Sequence, residues 1–385
     1  MITHPFDLVT EADLRRRQSA KWRLYPDDVL PAWVAEMDFP IAEPIKRVLH
    51  AALETDDAGY ADPQGLGETF APWARETWGW DVRASDVHVA PDVVSGLGEL
   101  LLLATKPGDG VVIDPPVYPP FRTTIERLER RVVDTPLART ESGGFRLDLD
   151  AIERAYAAGA RAHILCSPHN PVGLVHPRGD LARVAELAAR HDVLVLSDEI
   201  HAPLTHAGAE HLPFPTVSPE AAATSIVLTS ASKAWNVAGL KAAVMVACHD
   251  APRALLARLP MELPYHAGHL GVLAARAAFA HGGDWLASTR RILERNRVWL
   301  VELLREHLPR ARYLPPEAGY LAWIDCRDLG LGADPARAFL DRGRVALSSG
   351  PSFGPGGEGF VRLNMGTTRT LLEEAVRRMA VTLRA

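Results

Sequence analysis

Cysteine is scarce in this sequence of 385 residues. Only three occur, Cys166, Cys248 and Cys326, and they are odd in number and widely spaced. This spacing fits neither a disulfide framework nor a zinc signature, so both kinds of stabilised small domain are excluded. Unpaired cysteines are typical of a reducing compartment, and we expect a cytoplasmic protein.

Long apolar runs are also missing. The longest, such as residues 100–104 and 242–248, fall far short of the ~20 residues that a membrane-spanning helix needs. The first seven residues have neither a basic nor an apolar segment, so we expect no signal peptide and no membrane association.

Neither sign of charge dominates the sequence. Lysine and arginine number 42, aspartate and glutamate 48, and the net charge is -6. A mildly acidic chain is not expected to bind nucleic acid non-specifically. The 47% of hydrophobic residues is ordinary for a globular protein and excludes intrinsic disorder.

Familiar binding motifs are absent or wrongly placed. No P-loop motif occurs. Residues 354–359 match G-x-G-x-x-G but precede a predicted strand, so we expect a loop and not a dinucleotide site. His201, His206 and His211 stand at intervals of five, which fits no zinc signature, and no metal site is predicted.

Residues 85–250 alternate short apolar runs with helix-length amphipathic stretches. Leu181, Val184 and Leu187 mark one stripe of such a helix. The runs are continuous, as in strands covered on both faces, and they lie at residues 111–113, 162–166, 193–197, 225–229 and 242–247. This alternation predicts an α/β fold with a mostly parallel, doubly wound sheet, whose ligands bind beyond the carboxyl ends of the strands.

From residue 284 the pattern changes to that of a smaller α+β domain. We predict helices at residues 285–308, 336–341 and 371–383, and strands near residues 313–314, 320–324 and 360–363.

Polar segments follow the predicted strands of the first part. They are P-V-Y (116–118), S-P-H-N-P-V-G (167–173), D-E-I-H (198–201) and T-S-A-S-K (229–233). An aspartate after a strand is most often a helix N-cap, and a serine-rich turn is most often only a turn. None of these segments alone predicts a site, but their order and spacing together are specific.

Together these segments resemble the fold-type I, class I and II aminotransferase superfamily, whose members use pyridoxal 5'-phosphate. The sequence is most similar to its cystathionine β-lyases (C–S lyases) of the MalY and PatB type. The resemblance runs from about residue 33 to 369 and is also carried by W-V-A-E-M-D-F (33–39), G-Y (59–60), K-P-G-D (106–109) and F-V-R-L-N (360–364). It implies a large cofactor-binding domain at residues 46–283, and a small domain formed from residues 1–45 and 284–385.

The resemblance implies roles around the cofactor ring. Lys233 corresponds to the lysine that binds the cofactor covalently and, once displaced, removes the Cα proton. Asp198 corresponds to the partner of the ring nitrogen, and Asn170 to a donor to the ring's 3-oxygen. His201 stands where many relatives carry a tyrosine bound to that oxygen; a structural histidine is the alternative. Tyr118 is expected to stack on the ring and to count, with Lys233, among the catalytic residues.

The cofactor's phosphate is expected at a helix N-terminus, where unsatisfied N–H groups bind anions. The implied ligands are the N–H groups of Val93 and Val94, the side chains of Ser230 and Ser232, and Lys241. Lys241 replaces the arginine of the aminotransferases and lacks its bidentate fork.

Three further residues are implied at the edge of the site. Tyr60 resembles the catalytic tyrosine that reaches the phosphate from the neighbouring subunit, which implies a homodimer with shared active sites. Arg362 resembles the arginine that binds the substrate's α-carboxylate, with a surface arginine as the alternative. Ala35 is also expected to contact the substrate.

The sequence departs from the family pattern at three positions. Glu36 replaces the usual aspartate, and Val172 replaces the more frequent threonine. Asp92 stands where a glycine is common, and its carboxylate would repel the phosphate unless it is turned away. No catalytic group is lost.

The implied reaction is β-elimination from an L-amino acid with sulfur at Cβ, such as cystathionine, to give a thiol, pyruvate and ammonia. An aminotransferase, which would use the same residues, is the first alternative. A lyase with an additional regulatory role is the second.

Overall fold

The computed structural model describes residues 5–383. The strands are β1 (Leu30–Pro31), β2 (Val87–Ala90), β3 (Gly110–Ile113), β4 (Arg131–Asp134), β5 (Ala138–Arg139), β6 (Phe145–Arg146), β7 (Ala160–Cys166), β8 (Leu194–Asp198), β9 (Ser225–Thr229), β10 (Ala243–Val246), β11 (Arg312–Tyr313), β12 (Leu321–Asp325), β13 (Val345–Ala346), β14 (Ser348–Ser349) and β15 (Phe360–Asn364). The α-helices are α1 (Glu11–Arg15), α2 (Ala20–Arg23), α3 (Glu43–Glu54), α4 (Gln64–Trp78), α5 (Val93–Ala104), α6 (Pro119–Arg127), α7 (Leu149–Ala157), α8 (Arg178–His191), α9 (Pro219–Thr224), α10 (Ala231–Ala234), α11 (Asp250–Leu256), α12 (His269–His281), α13 (Gly283–His307), α14 (Pro335–Asp341) and α15 (Arg369–Val381).

A seven-stranded sheet lies at the centre of the fold, in the order β2-β10-β9-β8-β7-β3-β4. The neighbours from β9 to β4 are parallel, and β10 runs against both of its neighbours. Strands β3 and β9 are buried along their whole length, which explains their continuous apolar sequences. The predicted α/β fold and its five predicted strands are confirmed. The short edge strands β2 and β4 were not predicted, because their sequences are not continuous apolar runs.

Helices cover both faces of this sheet. Val111 and Val112 are adjacent on β3 but belong to different apolar clusters, because successive strand side chains point to opposite faces. Leu97 of α5 packs in the first cluster and Leu181 of α8 in the second. The sheet is therefore doubly wound, as predicted.

A second, four-stranded sheet has the order β11-β12-β15-β14 and is antiparallel. Helices α13 and α15 pack against each other beside it. Near the start of the chain, β1 pairs in parallel with β13, with Leu30 opposite Val345. The domain boundaries at residues 45 and 283 stay predictions. Among residues 5–383, no helix has both the length and the apolar character needed to cross a bilayer.

Candidate active site

The candidate site lies at the carboxyl ends of the parallel strands. Because β7, β8 and β9 are neighbours, the segments that follow them meet. Asp198 ends β8, Asn170 follows β7, and Lys233 lies in α10, directly after β9. Arg362 reaches the same place from β15, where its Nη1 donates a hydrogen bond to Asn170 Oδ1 at 3.0 Å.

Lys233 contacts the segment of residues 33–37. Its Nζ donates a hydrogen bond to the carbonyl oxygen of Ala35 at 2.9 Å. The pKa of Lys233 is lowered to about 8, first by burial and then by the charge of Arg362, although Glu36 and Asp198 oppose this shift. An amine with this pKa exchanges protons near neutral pH, as a nucleophile or general base must.

Asp198 is a buried carboxyl with no ion-pair partner in the described part of the chain. Its Oδ1 accepts the N–H of Ile200 at 3.1 Å, and no described residue forms an ion pair with it. Burial, aided by the charge of Glu199, raises the pKa of Asp198 to about 7. A cation placed against this carboxyl would restore its charge.

His201 is buried beside the ring of Tyr320, with the two ring centroids 6.1 Å apart. Its Nδ1 has no hydrogen-bond partner among the described residues. Burial and the nearby cations Lys233 and Arg362 lower the pKa of His201 to about 3, so the imidazole is neutral.

His206 and His211, the other two histidines at intervals of five, form hydrogen bonds with other groups. His206 Nε2 lies 2.8 Å from the Gly319 carbonyl oxygen, and His211 Nε2 lies 2.9 Å from the carboxylate of Glu199. Within the described part of the chain, no cluster of three or more potential metal ligands is found.

Arg362 is held in one orientation inside the site. Its Nη2 donates to the carbonyl oxygen of Trp33 at 3.1 Å and to Ser348 Oγ at 3.2 Å, and the ring of Phe353 lies 4.9 Å from the guanidinium carbon. Burial lowers the pKa of Arg362 to about 10, which leaves it charged at neutral pH. The buried Nε has no partner among residues 5–383, so one donor of the guanidinium is unpaired.

Tyr118 directly precedes α6 and packs edge-to-face on Phe121, with ring centroids 5.5 Å apart. Burial and the charge of Asp198 raise its pKa, so the hydroxyl stays protonated.

The N-terminus of α5 carries the predicted anion-binding groups. Val93 and Val94 occupy the first two helical positions, whose N–H groups have no acceptor within the helix. Asp92 caps the helix by accepting the N–H of Ser95 at 2.8 Å. Its other oxygen forms an ion pair with Lys241 Nζ at 3.1 Å. The carboxylate that stands where the family commonly has a glycine is therefore paired with a cation.

The two serines before Lys233 differ in what they can donate. The hydroxyl of Ser230 donates to the carbonyl oxygen of Ala242 at 2.6 Å and accepts the N–H of Ser232 at 3.0 Å. Its only hydrogen is therefore already used. The hydroxyl of Ser232 forms no hydrogen bond with the described residues and keeps its hydrogen.

Tyr60 is not brought to the site of its own chain. Its side chain is 84% exposed and contacts the half-exposed Tyr265 edge-to-face, with ring centroids 6.2 Å apart.

Sequence reasoning missed two residues that hold the segment of residues 33–37. The hydroxyl of Tyr320 donates to the Ala35 carbonyl oxygen at 3.0 Å. Asn364 Nδ2 donates to the carbonyl oxygens of Val34 and Glu36 at 2.8 and 2.7 Å. Asn364 lies in the F-V-R-L-N segment that carries the resemblance, which is the one signal that pointed to it. Tyr320 has no such signal.

Comparison with known proteins supports the likeness over the whole chain. The model of the family "Aminotransferase class I and II" matches residues 25–379. "Cystathionine beta-lyase PatB" of Bacillus subtilis is 35% identical over 95% of this chain and 97% of its own. "Cystathionine beta-lyase" of Corynebacterium glutamicum is 33% identical over 96% and 97%.

Among solved structures, the PLP-bound C–S lyase from Staphylococcus hominis superposes with a TM-score of 0.91 at 26% identity and covers 99% of both chains. The matched segment of residues 25–379 contains every site residue described above. The chain belongs to the aminotransferase class I and II family.

Proposed function

We propose that this protein is a pyridoxal-phosphate-dependent carbon–sulfur β-lyase that cleaves cystathionine or a related L-cysteine thioether to a thiol, pyruvate and ammonia. Near-full-length similarity to two cystathionine beta-lyases and to a C–S lyase supports the proposal. The observation that carries it is the position of three buried side chains. Lys233 and Arg362 both donate to carbonyl oxygens of residues 33–37, and Asp198 ends β8, which lies between β7 and β9.

The residues of the site fit pyridoxal phosphate. Asp198, which is buried and has no ion-pair partner among residues 5–383, would pair with the protonated ring nitrogen. The N–H groups of Val93 and Val94, which have no acceptor within α5, would hold the phosphate. Tyr118 would supply an aromatic face between these two ends.

The remaining contacts complete the proposed cofactor site. Asn170 and the neutral His201 would bind the ring's 3-oxygen, while Ser232 and Lys241 would contact the phosphate. When bound, the cofactor supplies a carbon that joins amino groups covalently and a cationic ring that draws electrons from Cα.

Arg362 binds the substrate's carboxylate in this proposal. The guanidinium stays charged although it is buried, and its Nε has no partner among the described residues. Trp33 and Ser348 fix the plane of the guanidinium. A carboxylate held in this way fixes the direction of the substrate's Cα–H bond, and alignment of the reacting atoms lowers the barrier. Ala35 lies on the segment that borders this position.

Lys233 then moves the proton. Its neutral amine accepts the Cα proton at Nζ, and the Cβ–S bond breaks with its electron pair on sulfur. The sulfur takes up a proton to become a thiol, and the three-carbon fragment hydrolyses to pyruvate and ammonia. A pKa of about 8 keeps a useful fraction of the amine neutral near physiological pH.

The proposal includes a homodimer with shared sites, in the cytoplasm. Tyr60 is exposed next to Tyr265, and an aromatic pair of this kind is available to a second copy of the chain. The proposed domains are residues 46–283 and residues 1–45 with 284–385.

The alternative is an aminotransferase, the activity after which the matching family is named. It would use the same lysine, carboxyl and arginine and differ in where the proton is returned. The two are separated by incubating the loaded enzyme with L-cystathionine and no keto acid. We expect sustained pyruvate release; turnover only after a keto acid is added would contradict the lyase.

A further inference from the structure

The carbonyl oxygen of Ala35 accepts hydrogen bonds from two donors. Lys233 Nζ lies 2.9 Å from it, and the Tyr320 hydroxyl lies 3.0 Å from it. Tyr320 is fully buried, and burial raises the pKa of its phenol, so the hydroxyl keeps its proton. An ammonium group and a phenol therefore share one acceptor.

This carbonyl is fixed by its neighbours along the chain. Asn364 Nδ2 donates to the carbonyl oxygens of Val34 and Glu36, the residues on either side of Ala35, at 2.8 and 2.7 Å. With both flanking peptides held, the Ala35 carbonyl is not free to rotate toward one donor and away from the other.

Tyr320 is fixed as well. The N–H of Met365 donates to its carbonyl oxygen at 2.9 Å, and its ring packs against the neutral imidazole of His201. A Cβ at Gly366 would lie 2.7 Å from Met37 Cγ and 3.2 Å from Tyr320 Cδ2, so the glycine leaves room for both side chains. These contacts hold the Tyr320 hydroxyl against the Ala35 carbonyl oxygen.

Sharing an acceptor has an electrostatic consequence for Lys233. The positive end of the Tyr320 O–H dipole points at the oxygen that accepts the lysine's hydrogen bond. It therefore destabilises the charged ammonium form of Lys233 but not the neutral amine. We propose that Tyr320 is a positioning residue that, through the Ala35 carbonyl, keeps the released amine of Lys233 in its neutral, basic form. The proposal deepens and rests on the proposed role of Lys233 as the base.

Charged groups on other segments also act on the Lys233 amine. Positive charges favour the neutral amine and negative charges favour the ammonium; they come from Arg362 on β15 and Lys241 before β10, and from Glu36 in the segment of residues 33–37 and Asp198 on β8. Tyr320 differs from all four because it is uncharged and shares the lysine's acceptor. Its removal therefore tests the shared hydrogen bond alone.

The test is Tyr320→Phe, which keeps the ring and removes the hydroxyl. In the cofactor-free chain, the rate at which Lys233 reacts with an amine-selective acylating reagent, read by mass spectrometry of its peptide across pH, gives the pKa of the amine. We expect the pKa of Lys233 to rise by about one pH unit. In the loaded enzyme, the acid limb of the plot of kcat against pH is expected to shift to higher pH.

Tyr313→Phe is the matched control. Its hydroxyl donates to Met365 Sδ at 3.7 Å and not to Ala35, so the pKa of Lys233 is expected to stay unchanged. An unchanged or lower pKa in Tyr320→Phe, or an equal rise in Tyr313→Phe, overturns the proposal.

A second variant keeps the test decisive if Tyr320→Phe does not fold. Replacing Tyr320 with 3-fluorotyrosine makes the hydroxyl a stronger donor and is expected to lower the pKa of Lys233; an unchanged or higher value overturns the proposal. Labelling needs neither cofactor nor substrate, so its result stands whether or not the protein proves to be a lyase.

Discussion

Arg362 Nη1 and Asn170 Oδ1 lie 3.0 Å apart and join the four-stranded sheet to the end of β7 in the seven-stranded sheet. Arg362 would bind the substrate's carboxylate, and Asn170 would bind the 3-oxygen of the cofactor ring. One hydrogen bond therefore couples the position of the substrate to that of the cofactor. Such coupling holds Cα in one place relative to the ring and to Lys233.

Arg362→Ala is expected to reduce kcat/KM by about 30-fold or more, because losing a buried charged partner costs about 2 to 5 kcal/mol. Steady-state kinetics with a thioether amino acid measures the loss, and the visible absorbance should show that the cofactor stays bound. Arg312→Ala removes an exposed arginine of the same sheet, paired with Asp328, and should behave like the wild type. Loss of cofactor from Arg362→Ala would contradict the assigned role.

Asp198→Asn is expected to stabilise the cofactor-free chain at alkaline pH. The folded pKa of Asp198, about 7, lies above the ordinary value of 3.8, so the folded state binds the proton more tightly than the unfolded state does. The carboxyl therefore costs stability as pH rises from about 4 to 7, and the full cost remains above pH 7. Asparagine has no such cost.

The melting temperature of cofactor-free Asp198→Asn should accordingly exceed that of the wild type at pH 8, and the difference should shrink as pH falls toward 5. If the melting temperatures of the two proteins changed with pH in the same way, folding would not raise the pKa of Asp198, and the prediction would be wrong. The same variant, loaded with cofactor, should lose most of its turnover.

Asp92→Asn is expected to bind pyridoxal phosphate several-fold more tightly. Asparagine can still accept the N–H of Ser95 but carries no charge to repel the phosphate, and Lys241 is released to face it. Equilibrium dialysis gives the Kd, and the gain should diminish at high salt. Asp148→Asn changes the cap of α7, which accepts the N–H of Ala151, and serves as the control. An unchanged or larger Kd in Asp92→Asn would place the phosphate elsewhere.

Lys233→Ala is expected to abolish the covalent attachment of the cofactor. Borohydride reduction followed by peptide mapping should mark the Lys233 peptide in the wild type and no peptide in the variant. Lys106→Ala, at an exposed turn residue, should leave the labelling intact. A label on another lysine would refute the site.

The sequence predicted the parts of the site that follow single strands. Asp198 directly follows an apolar run, and Asn170 and Lys233 each lie four residues beyond one. Parallel neighbours bring such segments together. It did not predict the contact between Tyr320 and Ala35, because these residues are 285 positions apart and meet only in the folded chain. Nor could the sequence show that the Ser230 hydroxyl donates its hydrogen bond to the Ala242 carbonyl oxygen, since that depends on the local fold of the chain after β9.

The most direct test of the lyase is the spectrum of the loaded enzyme after it has consumed one equivalent of L-cystathionine without any keto acid. A lyase returns the cofactor unchanged, so the original visible absorbance should be fully restored as one equivalent each of thiol and pyruvate appears. Conversion of the cofactor to pyridoxamine phosphate, with the visible absorbance lost and no thiol released, would contradict the account and identify an aminotransferase.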